Sequence, residues 1–158
     1  MPFYGEMQRM ITKQASENKY KSFDEYLELD YGDNYWGDVG VVYAGHLLED
    51  FSENDWSQLR IEAGLKSKEW QYRCADALGD VPTMNSFEML ISFLDVDDRE
   101  IVFNALSSID ALASMGVDLV DFSSRINAEI ENLRVNASEF EIFLLDHLSS
   151  KIAACLRF

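Results

Sequence analysis

Residues 67–79, SKEWQYRCADALG, decide how this chain is read. Ser67 is an N-cap residue type, and Trp70, Cys74, Ala77 and Leu78 fall on one helical stripe. Gly79 ends the pattern and Pro82 stands just beyond it, as helix stop signals do. The segment predicts a helix of three turns with one buried face.

The same pattern returns elsewhere in the chain. A shift of 31 residues lays WQYRCADALG (70–79) on IVFNALSSID (101–110), and the apolar-or-small columns coincide. VGVVYAGHLL (39–48) and FEIFLLDHLS (140–149) fit the same columns. The third column reads Val41, Tyr72, Phe103 and Ile142; the fifth Tyr43, Cys74, Ala105 and Leu144; the ninth Leu47, Leu78, Ile109 and Leu148. Shorter helices are predicted ahead of each copy, near 23–29, 54–65, 86–94 and 118–133. A break falls at 95–97, Asp98 stands three residues before Ile101, and Gly116 is a terminator. The run VGVVY is too close to the stripe Val39, Val42, Tyr43, His46 and Leu47 to favour a strand. The expectation is an all-α fold made of repeated helix pairs.

SKEWQYRCADALG resembles the second helix of a HEAT repeat, typically Asp-x-x-Val-Arg-x-x-Ala-Ala-x-Ala-Leu-Gly, with Trp70, Cys74, Ala75, Ala77, Leu78 and Gly79 in register. Asp98, Arg99, Glu100 and Ile101, then Ala105, Leu106, Ser108 and Ile109, follow the same line. Gln71 and Val102 depart from it at the usual arginine column, and the first and fourth copies match in hydrophobicity alone. The resemblance implies a short HEAT-like α-solenoid of about four helical hairpins plus an N-terminal helix. It is read as one domain over 1–158, with repeats at 22–51, 52–82, 83–116 and 117–155.

Charge narrows the range of partners. Thirteen Lys/Arg against 29 Asp/Glu give a net −16. Residues 1–21 carry four basic and two acidic side chains, a local +2. Residues 22–59 hold no Lys or Arg, and Asp24, Glu25, Glu28, Asp30, Asp33, Asp38, Glu49, Asp50, Glu53 and Asp55 bring that stretch to −10. From Arg60 onward there are nine basic and seventeen acidic residues. Such a field repels nucleic acid and anionic membranes, and it speeds encounter with a basic protein in a salt-dependent way. No basic patch precedes an apolar run at the start, and no stretch is long and apolar enough to span a bilayer. Cys74 and Cys155 have no metal or redox spacing. A reduced, cytoplasmic location is expected, with the free chain a monomer because its charge opposes self-association.

The sequence carries no catalytic constellation. DYGDNYWGD (30–38) fails the calcium-loop spacing from either Asp30 or Asp33, and DVDD (95–98) sits where a helix begins. No catalytic residue, metal ligand set or cofactor is implied. His46 and His147 share a column, and His46 has Glu49 and Asp50 one turn later. An enzyme using a groove around His46 is therefore carried as the third reading. Trp56, Trp70, Tyr72, Phe103, Phe140 and Phe143 lie on helical stripes and are expected in the core. Tyr31, Tyr35 and Trp36 lie instead at a helix–helix connection among acids. Such rigid aromatics suit recognition, although Trp36 could equally begin the next helix and cap the core.

A small acidic chain without chemistry is similar to the immunity proteins of bacterial toxin–immunity pairs, some of which have HEAT-like folds. That resemblance implies a binding inhibitor of a basic, nuclease-type secreted toxin domain. The expected contact residues are Asp24, Glu28, Asp30, Tyr31, Asp33, Tyr35, Trp36 and Asp38, with Asp95, Asp97 and Asp98 as a second patch. The alternative is a HEAT-like adaptor in a larger assembly.

Overall fold

A computed structural model describes residues 19–156; the N-terminal helix expected ahead of the first hairpin falls outside the described residues. Among the described residues there are eight helices and no strand. They are α1 (Lys19–Glu28), α2 (Val41–Glu49), α3 (Glu53–Glu62), α4 (Lys68–Leu78), α5 (Met84–Phe93), α6 (Arg99–Ser114), α7 (Ser123–Arg134) and α8 (Glu139–Cys155). A single α-turn, Asp33–Tyr35, and a π turn, Trp36–Gly40, run straight into α2. Two 3₁₀ turns, Ala63–Leu65 after α3 and Val120–Phe122 before α7, complete the set. No helix among the described residues is long and apolar enough to cross a membrane. The chain parts into two compact units between Arg73 and Cys74, inside α4.

In the first unit α1 packs against α2 and α3. Tyr20, Phe23, Leu27, Ala44, Leu48, Trp56, Leu59 and Trp70 form its core. Phe23 meets Phe51 and Trp70 edge-on, with ring centroids 5.5 and 6.1 Å apart, the geometry aromatic quadrupoles favour. Asp55 ties two helix starts together. Its Oδ2 accepts from the Ser52 backbone N–H at 2.9 Å, completing a capping box, while Oδ1 accepts from the Tyr20 N–H at 3.1 Å. Those are N–H groups that a helix start leaves without an intrahelical partner.

In the second unit α5 packs on α6, and α8 packs on α6 and α7. Thr83, Asp98 and Ser138 cap α5, α6 and α8, and Gly116 ends α6 with φ of +99°, a conformation open to glycine at no steric cost. Gly79, at the end of α4, packs directly against Ser108 of α6. A Cβ there would lie 2.7 Å from Ser108 Oγ, whose hydroxyl donates to the Ala75 carbonyl at 2.7 Å.

The 31-residue shift preserves burial at six of the ten positions of 70–79 and 101–110. Trp70 and Ile101, Gln71 and Val102, Cys74 and Ala105, Ala75 and Leu106, Ala77 and Ser108, and Leu78 and Ile109 are all buried. Burial also drives the Cys74 thiol pKa well up, so it stays an inert hydrophobe. The first copy behaves differently. Gly40, Ala44, Gly45 and Leu48 turn inward, while Val39, Val42, Tyr43 and His46 face solvent. The apolar stripe that predicts this helix is its outer face, because small residues line the inner one. Three aromatics assigned to the core are also corrected. Tyr72 is 41% exposed, Phe140 77% and Phe143 71%, and Phe103 is half-buried; only Trp56 and Trp70 of that set are buried. In α8 the buried residues are Leu145, Leu148 and Ile152, a stripe that leaves Phe140 and Phe143 outside.

Candidate partner-binding surface

The connection at 29–40 is organised from below by Arg73. Its Nη1 donates to the Leu27 and Leu29 carbonyls at 2.9 and 2.7 Å, and Nη2 donates to Glu69 Oε1 at 2.8 Å. These bonds satisfy carbonyls that the end of α1 leaves open. The guanidinium carbon also lies 5.2 Å from the Tyr31 ring centroid and 5.5 Å from that of Trp36. A planar, weakly hydrated cation suits this position where a lysine would not.

Around that cation stands a stack of aromatics. Tyr26 lies 4.6 Å from Tyr43 and 5.2 Å from Tyr31, and Tyr31 stacks on Tyr35 at 5.0 Å with planes 14° apart. Burial raises the phenol pKa values of Tyr26 and Tyr31 above the usual tyrosine range, so both are neutral at physiological pH. Trp36 is buried beneath them. The π turn explains how it gets there: the Val41 N–H reaches back to the Trp36 carbonyl, and Gly40 lies under the indole. A Cβ on Gly40 would sit 2.7 Å from Trp36 Cε3, so glycine is what lets the ring lie down. Turns of this kind are often found at functional sites.

What faces outward is apolar. Tyr35, Val39, Val42 and Tyr43 are 46, 49, 50 and 50% exposed, and their spacing puts them on one side of the continuous helical segment 33–49. Glu28, Asp30, Asp38 and Glu49 are exposed as well. Beside the stack a concavity of about 260 Å³ is lined by Glu28, Leu29, Asp30, Glu69 and Arg73 among others.

The expected contact residues thus separate into kinds. Tyr31, Tyr35 and Trp36 come together in the stack, Glu28, Asp30 and Asp38 are exposed acids, and the Asp33 side chain lies outside the described residues. Asp24 is engaged internally, accepting from Trp70 Nε1 at 2.9 Å and pairing with Lys66 Nζ at 2.9 Å. That bond is the first cause of the raised Lys66 pKa. Asp95, Asp97 and Asp98 belong to the second unit. Asp98 is spent on capping α6, accepting from the Glu100 and Ile101 N–H groups, and Asp95 pairs with Arg125 at 2.7 Å, while Asp97 is exposed. His46 is exposed with Nδ1 3.5 Å from Glu49 Oε2. Among the described residues no three His, Cys, Asp or Glu are grouped to hold a metal ion.

Arg73, Tyr26, Val39, Val42 and Tyr43 were not singled out by sequence as parts of this surface. Arg73 is 46 residues from Leu27, and no local signal pairs them. Tyr43 did leave one: it is bulky in a column where Cys74 and Ala105 are small. No protein-family model, no curated protein and no solved structure matches this chain significantly.

Proposed function

We propose that this chain is a small HEAT-like binding inhibitor, an immunity protein that neutralises a basic, nuclease-type secreted toxin in the bacterial cytoplasm by covering its active site. The observation that carries the reading is residues 22–59, which hold ten acids and no Lys or Arg, with Glu28, Asp30, Asp38, Glu49 and Asp50 exposed in the same stretch as an outward apolar and aromatic face. A protein that acts on a polyanion needs a basic surface, and an acidic antidote gains both steering and paired charges from it. The burial pattern shared by 70–78 and 101–109 supports the HEAT-like hairpin as the repeating unit.

The test is affinity capture from the source cell with the full chain, then titration of the captured protein's activity. The expected partner is basic, loses its activity at one equivalent of this chain, and associates more slowly as salt is raised. A captured protein that stays fully active when saturated would overturn the inhibitor reading. Recovery of several near-neutral subunits of one assembly would replace it with the adaptor.

A further inference from the structure

Resting on that reading, we infer that the outward face of residues 33–49 seats one amphipathic, basic helix of the partner. Tyr35, Val39, Val42 and Tyr43 follow the i, i+4, i+7, i+8 spacing of a helix that buries one side, yet this side is half exposed. The inner side of the same segment, Trp36, Gly40, Ala44, Gly45 and Leu48, is already buried in the first unit. A segment apolar on both sides has a second surface to cover.

Charge selects the occupant. The stripe lies within residues 22–59, whose exposed acids include Asp30, Asp38, Glu49 and Asp50, and no cation in that stretch opposes a basic partner. The same field works against a second copy of this chain, which would bring its own acids to the contact. Length selects the shape. From Tyr35 to Tyr43 the stripe runs about 12 Å, two turns of helix, the reach of i, i+3 and i+7 anchors on one partner helix. The platform is also set before binding. Tyr35 and Tyr43 are held by the tyrosine stack over Arg73, so little side-chain freedom is left to lose. The exposed Phe140 and Phe143 of the second unit lie on a helix whose Lys151 and His147 contact Asp110 at 2.8 and 3.2 Å. Nothing there selects a partner.

The test uses the full chain and a synthetic 14-residue peptide, leucine at helical i, i+3, i+4 and i+7 spacing and lysine elsewhere. Its control is a scrambled peptide of the same composition. Binding is read by calorimetry at low salt. The helical peptide is expected to bind at least about tenfold tighter than the scrambled one, and the double variant Val39→Ser/Val42→Ser to lose about tenfold. Both valines lie outside the tyrosine stack, and an unchanged melting temperature verifies that the variant folds. Equal binding of the two peptides, or no loss in the double variant, overturns the inference, as does sedimentation showing a dimer of this chain that the double variant dissolves. The two proposals fail separately. A double variant that still blocks the captured toxin as well as the parent sinks the docking face and leaves the inhibitor standing. A chain that binds the helical peptide but blocks no captured protein does the reverse.

Discussion

Two helices built on the same sequence columns do opposite things. In α6 the periodic residues Ile101, Ala105, Leu106 and Ile109 are buried, and the stripe that reveals the helix is the stripe that holds it in place. In α2 and the turn before it, Val39, Val42 and Tyr43 reveal the helix but face outward, while Gly40, Ala44 and Gly45 do the packing. Periodicity therefore reports that a segment is helical, and the sizes of its residues decide which side goes in. Small residues allow close approach, and the bulky ones are left for something else to cover.

That contrast breaks most visibly under truncation. Leu106→Ala is expected to cost about 2–5 kcal/mol, the range for emptying a buried aliphatic site, whereas Val42→Ala should stay within about 0.5 kcal/mol. Chemical denaturation of both variants compares them directly. Comparable losses would mean that the outward stripe is core after all.

Within the π turn, two glycines differ in the same way. Gly40→Ala drives a methyl into the Trp36 ring and should destabilise by about 1–3 kcal/mol. Gly37, three residues earlier, has nothing within 4 Å of a would-be Cβ, and Gly37→Ala should be neutral or stabilise by up to about 1 kcal/mol. Melting temperatures of the pair give the readout. If Gly40→Ala proved harmless, the indole would not lie where it is described.

The smallest effect concerns pH in the second unit. Glu141 is held below the ordinary carboxylate range, first by the Ser138 backbone N–H, then by its hydroxyl and by Arg99. A carboxylate depressed in the folded state adds stability above its unfolded pKa, and that stability is lost as pH falls through the folded value. Glu141→Gln should therefore lower the melting temperature slightly at neutral pH and converge with the parent in acid. A constant difference across the whole range would assign the effect to packing instead.

Most helices were legible in the sequence because their signals are local. Ser67 does accept from the Trp70 N–H at 3.2 Å, and Asp98 and Gly116 mark the start and stop of α6. The facing of α2 was not legible, because hydrophobicity scales give glycine and alanine little weight against valine and tyrosine. Nor was the fate of the acids. Asp24 and Asp55 read as part of a uniform acidic stretch, yet one is engaged by Trp70 and Lys66 and the other joins two helix starts. The contacts of Asp24 and the bond from Asp55 to the Tyr20 N–H reach across 35 or more residues, and only the Ser52–Asp55 capping box has a local signature.

If the first unit's outward stripe is the binding face, partner contact must shield it from solvent. Hydrogen–deuterium exchange of the full chain, alone and saturated with its captured basic partner, reads that shielding segment by segment. Slowed exchange is expected in residues 29–49, with the helices from α5 to α8 unchanged. Protection confined to residues 74–156, with 29–49 exchanging as in the free chain, would contradict it.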